Sequence, residues 1–311
     1  MYSLILAALL TPIQYNFPAQ KPVVYEMKVS MQGYIPVLGG NEGTAELFLG
    51  IEVGALPPDS EGRLRAYNDL VEVKTVFNGA TLPFGLDSIK SFFPKTTVSH
   101  SPHGKVLAND APDVQLPVRL PGLDPKRFPE ITYLPLEFPA EGVEIGKSWT
   151  FVRKIGPDDM VYTVKTHSLD DASAKFGVSV QQTSLTFEDE AGELVAEAEA
   201  IRKVETTLTG QGEVHFDRKK GMATQVRVVT RAQGNVTDLS SKKVSQRQLT
   251  TTLDVRLRGT GPSIEPSPKK SSEAAGWKSW LQRAADFATN VSRSVSMGWS
   301  LLKAFLGIRV S

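Results

Sequence analysis

Apolar and polar residues alternate at every second position through most of the chain, which sends successive side chains to opposite faces of a sheet. Val23, Tyr25, Met27, Val29 and Met31 form one apolar face, while Glu26, Lys28 and Ser30 point the other way. Ala45, Leu47, Leu49, Ile51 and Val53 repeat the pattern, and Gly39, Gly40 and Gly43 supply turn positions between the two runs. Together they predict antiparallel neighbours. Weaker alternation over residues 64–77 and 96–106 predicts further strands, the second run folded into a hairpin at His103-Gly104. Strands return at 145–155, 160–168, 175–187, 201–216, 222–232 and 244–258, and Leu249, Thr251, Leu253, Val255 and Leu257 again line one face. Their turns show as Gly156-Pro157-Asp158-Asp159, Asp170-Asp171, Glu190-Ala191-Gly192 and Lys219-Lys220-Gly221. Residues 193–202 mix helix-favouring Ala and Glu with alternation at Leu194, Ala196, Ala198 and Ala200, and read as strand.

Two segments break the period. Between Leu82 and Pro139 prolines recur, and proline cannot sit in a central strand because it lacks the backbone donor. An irregular crossover is expected there, with short helical pieces at 85–93 and 124–128 and a division between two β halves near 111–141. Residues 260–273 are rich in Pro, Gly, Ser and Lys and read as a linker. Beyond it, over 274–307, apolar residues recur at alternating four- and three-residue spacing, which predicts one amphipathic helix. The fold class is therefore mainly β, a large curved antiparallel sheet or partial barrel over 21–259, with a C-terminal amphipathic helix.

Charge changes this picture at one end. The formal net charge of +1 argues against nucleic-acid binding by the whole protein. Residues 274–311 carry five basic residues against one acid, a net +4, which leaves −3 for residues 1–273. The absence of cysteine removes disulfides, thiolate metal sites and cysteine nucleophiles. The apolar run Leu4–Leu10 has the length of a signal-peptide core and is too short to span a bilayer. No basic residue precedes it, and Pro12 obstructs cleavage just after it. Residues 1–20 are read as a signal peptide, and the protein as extracytoplasmic: periplasmic, cell-envelope or secreted.

Candidate chemistry is sparse. The nucleophile elbow, the zinc-protease helix, the phosphate-binding loop and the dinucleotide fingerprint are all missing, so neither a cofactor nor a resident metal is expected. His100 and His103, with Asp110 and Asp113 nearby, are the one cluster of side chains suited to acid–base work or a divalent ion. A polar hairpin turn explains the same letters. Asp158-Asp159, Asp170-Asp171 and Glu188-Asp189-Glu190 lack the spacing of a calcium loop and read as turns. The tail carries the strongest signal. Trp277, Trp280 and Trp299 join Phe287, Leu302 and Phe305 on its apolar side, and Arg283, Arg293 and Lys303 make its polar side basic. Such a helix packs on its own sheet, lies in a membrane surface or docks on a protein partner.

Three short patterns add a resemblance. Gly146-Lys147-Ser148-Trp149 opens a strand, Ser101-Pro102-His103-Gly104-Lys105-Val106 forms a hairpin, and Gly210 to Asp217 runs into the Lys219-Lys220-Gly221 turn. With these, residues 22–258 resemble secreted bacterial β-rich envelope proteins. The resemblance implies an envelope location and a large antiparallel sheet, and it brings no catalytic residue. The resulting expectation is a non-catalytic binding or scaffolding protein that cradles an apolar ligand or lipid. The alternative is an enzyme of unfamiliar type working through His100, His103, Asp110 and Asp113.

Overall fold

The structure is a computed structural model that describes residues 10–35, 41–81, 86, 90, 94–112, 121–124, 126–127, 129–190, 192–262 and 264. The apolar run before Leu10, Asp113 and the expected helix over 274–307 lie outside the described residues.

Twelve strands form one antiparallel sheet: β1 (Val23–Ile35), β2 (Asn41–Leu56), β3 (Leu64–Phe77), β4 (Ala80–Thr81), β5 (Thr96–His100), β6 (Val106–Asn109), β7 (Ser148–Ile155), β8 (Asp158–Leu169), β9 (Ser173–Glu188), β10 (Arg202–Asp217), β11 (Met222–Asp238) and β12 (Val244–Leu257). The order across the sheet is β6-β5-β3-β2-β1-β12-β11-β10-β9-β8-β7, with β4 beside β3. Two meanders therefore run outward from a shared centre, where the first strand pairs the last, with Met27 opposite Val255. The strands on either side of residues 111–141 belong to this one sheet. The chain between β6 and β7 has to pass from one outer edge to the other.

It does so across the concave face. His100 on β5 and Trp149 on β7 are nine strand positions apart, about 43 Å on a flat sheet at ~4.8 Å per strand. Four ring-to-ring steps join them, through Phe17, Tyr15 and Phe138, the longest of 6.1 Å. The sheet must curl around that chain of rings. Tyr15, Phe17, Tyr133, Leu134, Leu136 and Phe138, all from segments outside the sheet, are buried in the core with Tyr25, Phe176 and Phe216. The Tyr15 hydroxyl donates to the Leu136 carbonyl at 3.1 Å, so the N-terminal segment and the crossover pack as one plug.

Polar groups fasten the plug to both edges. Asn109 on β6 donates to the Lys126 carbonyl and to Glu130, which is fully buried and also takes Arg127 at 2.7 Å. On β7, Arg153 donates to Glu137 at 2.9 Å and to the Leu134 carbonyl at 2.8 Å, while Gly156 N–H donates to Asp124. The gap between β6 and β7 is thus bridged by side-chain hydrogen bonds to the crossover.

The short elements differ from expectation in two places. Asp124 caps a turn, accepting from Lys126 N–H and, through its carbonyl, from Arg127 N–H. The helical turn comes later, as α1 (Glu130–Tyr133), after Pro129 at φ −65°. Proline presets that φ and needs no donor at a helix start. Of 85–93, only Leu86 and Lys90 are described, and both are helical. Of the expected strand over 193–202 only Arg202, which opens β10, is in a strand: Leu194 makes one bridge to Glu188, and Glu197–Glu199 form a 3-10 turn. The reason is pairing. Arg202 lies directly opposite Glu188, so β9 and β10 already use each other's edges and leave this loop no strand to join.

Candidate ligand-binding site

Cross-strand register sorts the concave face into rows. One row runs Leu47, Val29, Leu253 and Val228 across β2, β1, β12 and β11, and the next includes Met31, Thr251 and Thr230. Val73 joins through Leu49 on β2. Met31, Leu47, Val73, Val228 and Leu253 are only half-buried although they share the face of fully buried Tyr25, Met27 and Ile51. The plug covers the end that carries Tyr25, and the apolar floor continues past it as a half-exposed stripe.

Farther along the same face the inward positions become polar. Counting by twos, β12 runs from Leu253 through Thr251 and Leu249 to Arg247, and β9 from Val178 and Val180 through Gln182, Ser184 and Thr186 to Glu188. Arg247 and Glu188 meet there: Nη1 of Arg247 donates to both carboxylate oxygens, at 2.7 and 3.0 Å. Gly33, at φ +121°, kinks β1 against β12, where a Cβ would come within 2.3 Å of the Gln248 carbonyl. Beyond the kink the Tyr34 ring lies under the Arg247 guanidinium, 4.2 Å away. Burial pushes the Tyr34 phenol up, so it stays protonated at neutral pH. A cavity of about 50 Å³ opens between these groups and Thr186, Thr206, Leu249 and Pro121.

The histidine cluster has a different character. His100 is 1% exposed, and its Nδ1 donates to the Ser101 carbonyl at 2.8 Å, since a carbonyl can only accept. Phe17 packs edge-on to its ring, and burial pushes the imidazole below its usual value. His103 donates to the Ile13 carbonyl, and Asp110 accepts from Thr97 N–H. Each group is spent on holding backbone, and no set of three metal-ligating side chains occurs among the described residues. His100 is also not the solvated turn residue that a polar hairpin implies. It ends β5 on the inward side, in the row of Thr96 and Val98, and the turn proper begins after it.

The convex face is charged. Lys28 pairs Glu46 at 3.0 Å, Lys175 pairs Glu213 at 2.9 Å, and Arg227 lies 3.6 Å from Asp254. A broad depression of about 690 Å³ crosses it, lined by Lys165, His167, Glu213 and Arg227, with His167 lying over Gly177. Solvent-facing pairs such as Lys175–Glu213 are worth about 0–1 kcal/mol each. Past β12 the chain stays on this face. Arg258 binds Glu26 and Glu72, Arg256 donates to the Pro262 carbonyl, and Ile264 N–H donates to Glu26. The expected tail contacts, Trp277, Trp280, Arg283, Phe287, Arg293, Trp299, Leu302, Lys303 and Phe305, lie outside the described residues.

Arg247 and Arg153 were not singled out by sequence reasoning, and Glu188, read there as part of a turn, instead closes β9 and is buried; yet a signal exists. Each is a charge at an apolar-face position of an alternating run: Arg153 follows Trp149 and Phe151, and Arg247 precedes Leu249 and Leu253 by steps of two.

No family model matches the sequence, and no curated protein sequence matches it. Among solved structures, one concerned with lipid–protein interactions in lipovitellin aligns at 11% identity and a TM-score of 0.46, covering 84% of this chain and 28% of that chain. The chain thus spans little more than a quarter of that protein. DynF from the dynemicin biosynthesis pathway of Micromonospora chersina aligns at 8% identity and a TM-score of 0.21, covering 86% and 93%. At these values neither likeness bears on ligand or activity.

Proposed function

We propose that the protein is a non-catalytic, extracytoplasmic binding protein that holds an apolar ligand against the concave face of its sheet. The observation that carries this reading is the half-buried stripe of Met31, Leu47, Val73, Val228 and Leu253, which occupies three neighbouring register rows across five adjacent strands. A floor of inward-facing aliphatic side chains that keep part of their surface open is a poor end state, because each Å² of apolar surface left in water forgoes about 25 cal/mol. An apolar guest supplies that burial. The polar convex face, by contrast, offers a ligand only solvated charges.

The reading is tested by native mass spectrometry and organic extraction of the purified full chain, together with titration of the fluorescent apolar probe 1-N-phenylnaphthylamine. Saturable binding that Leu253→Asn and Val228→Asn each weaken supports it. A protein that carries no extractable apolar molecule and takes up no probe ends it and leaves a scaffolding role.

A further inference from the structure

The stripe does not end on apolar ground. Following β12 from Leu253 to Arg247 crosses six residues, about 20 Å at ~3.4 Å per residue, and leads from an aliphatic floor to a small polar cavity. The length compares with the reach of a common fatty acyl chain. What waits at the far end is unusual for a core. Arg247 spends only Nη1 on Glu188, and its Nε and Nη2 have no hydrogen-bond partner among the described residues. Tyr34, Thr186 and Thr206 line the same cavity, and their hydroxyls likewise make no side-chain hydrogen bond among the described residues. Donors that converge on one cavity with hydrogen bonds to spare can be taken up by a guest or by water.

The donors select the guest. Glu188 answers one nitrogen of Arg247, while Arg202, opposite Glu188 in the β9–β10 register, donates to the Asp189 and Glu190 carbonyls. The spare N–H groups of Arg247 and the hydroxyls beside them call for an acceptor. A cavity of about 50 Å³ admits a carboxylate-sized group or a few waters, a water needing roughly 10–15 Å³ of such space. Leu249 and Ala232 on its wall lead back toward the stripe.

We infer that the Arg247–Tyr34–Thr206 cavity is a head-group site for the carboxylate of an acyl chain laid along the concave stripe. This rests on the apolar-ligand reading above and names its ligand class, a fatty acid. The carboxylate accepts from the free N–H groups of Arg247 and from the threonine hydroxyls, while Glu188 holds the guanidinium in place from the opposite side.

The test compares cis-parinaric acid with its methyl ester on the full chain, by probe fluorescence. The acid is expected to bind about tenfold tighter than the ester, the fold-change of one charge-assisted hydrogen bond. Arg247→Lys keeps a cation beside Glu188 but loses the fork, and should cost the acid about fivefold while leaving the ester unchanged. Thr206→Val removes a hydroxyl at constant shape and should weaken the acid alone, which keeps the test valid if the arginine variant folds poorly. Equal affinity for acid and ester in the wild-type protein, or an acid affinity untouched by both substitutions, overturns the head-group site while the apolar-ligand reading stands. Absence of binding by acid and ester together overturns both.

Discussion

The two ends of the concave face are built from the same alternating strands, and they differ in what lies over them. At the Tyr25 end, the rings of Tyr15, Phe17, Tyr133 and Phe138 fill the hollow and are buried with Tyr25, Phe176 and Phe216. At the Arg247 end, the described cover reduces to Pro121 and Gly122, whose close approach to Leu208 and Met160 would leave a Cβ only 2.8 Å from the Leu208 methyl. There the inward positions carry hydroxyls and an ion pair, and a cavity remains. The same period-two pattern therefore makes a core where aromatic rings lie on it and a candidate site where a cavity remains. Inward orientation is a property of the strand, whereas coverage is a property of the segment that crosses it.

The contrast is easiest to break by deletion of bulk. Phe138 touches Tyr15, Trp149, Phe176 and Phe216. Phe138→Ala should cost about 3–5 kcal/mol, whereas Leu253→Ala, on the half-exposed stripe, should cost less than about 2 kcal/mol. Urea-denaturation midpoints decide, and equal losses would erase the difference between the two ends. Next in size is the seam. Arg153 is buried, its Nη2 lacks a partner among the described residues, and its other nitrogens hold Glu137 and Leu134. Arg153→Met should lower stability by about 2–3 kcal/mol, less than for a fully buried pair because Glu137 is partly exposed. Hydrogen exchange should quicken over 130–138 and stay unchanged around Arg247. Faster exchange at both ends would mean that the crossover governs the whole face.

A smaller effect follows from pH. His100 belongs to the filled end, and burial depresses its folded value below that of the unfolded chain, near 6.5. The unfolded state then binds the proton first, so this contribution is complete above about pH 6.5 and is lost as pH falls toward the folded value. Thermal midpoints between about pH 7 and pH 5 should fall in the wild type and fall less in His100→Gln. Equal slopes would show that His100 does not titrate with folding. The smallest effect on stability should come from a chain ending at Pro268. The last strand ends at Leu257, and Arg258 with Ile264 already ties off the chain at Glu26. We expect the midpoint to move by less than about 0.5 kcal/mol and binding to anionic vesicles to disappear. Loss of the β fold would assign the tail to the core, and undiminished vesicle binding would exclude it as the membrane contact.

Most strands were legible because each is long and alternates against solvent on one side. Val23–Ile35 and Val244–Leu257 show this. Residues 193–202 misled because small alanines alternate without burying anything, so the pattern carried no energy to hold a strand. The histidine cluster misled for the converse reason. Proximity in sequence said nothing of where the lone pairs and N–H groups point, and backbone carbonyls claimed them.

By itself the sequence determined which side chains share a face, since a period of two leaves no choice once a strand forms. It also determined that the prolines of 121–139 would keep the described residues there out of the strands. Only the tertiary structure decided that β1 pairs β12, that the displaced segment returns to fill one end of the hollow, and that Arg247 and Glu188, 59 residues apart, meet at the other. Those outcomes depend on closing long loops and on curling the whole sheet around one plug. Such energies belong to the assembled chain and leave no mark on any local stretch of it.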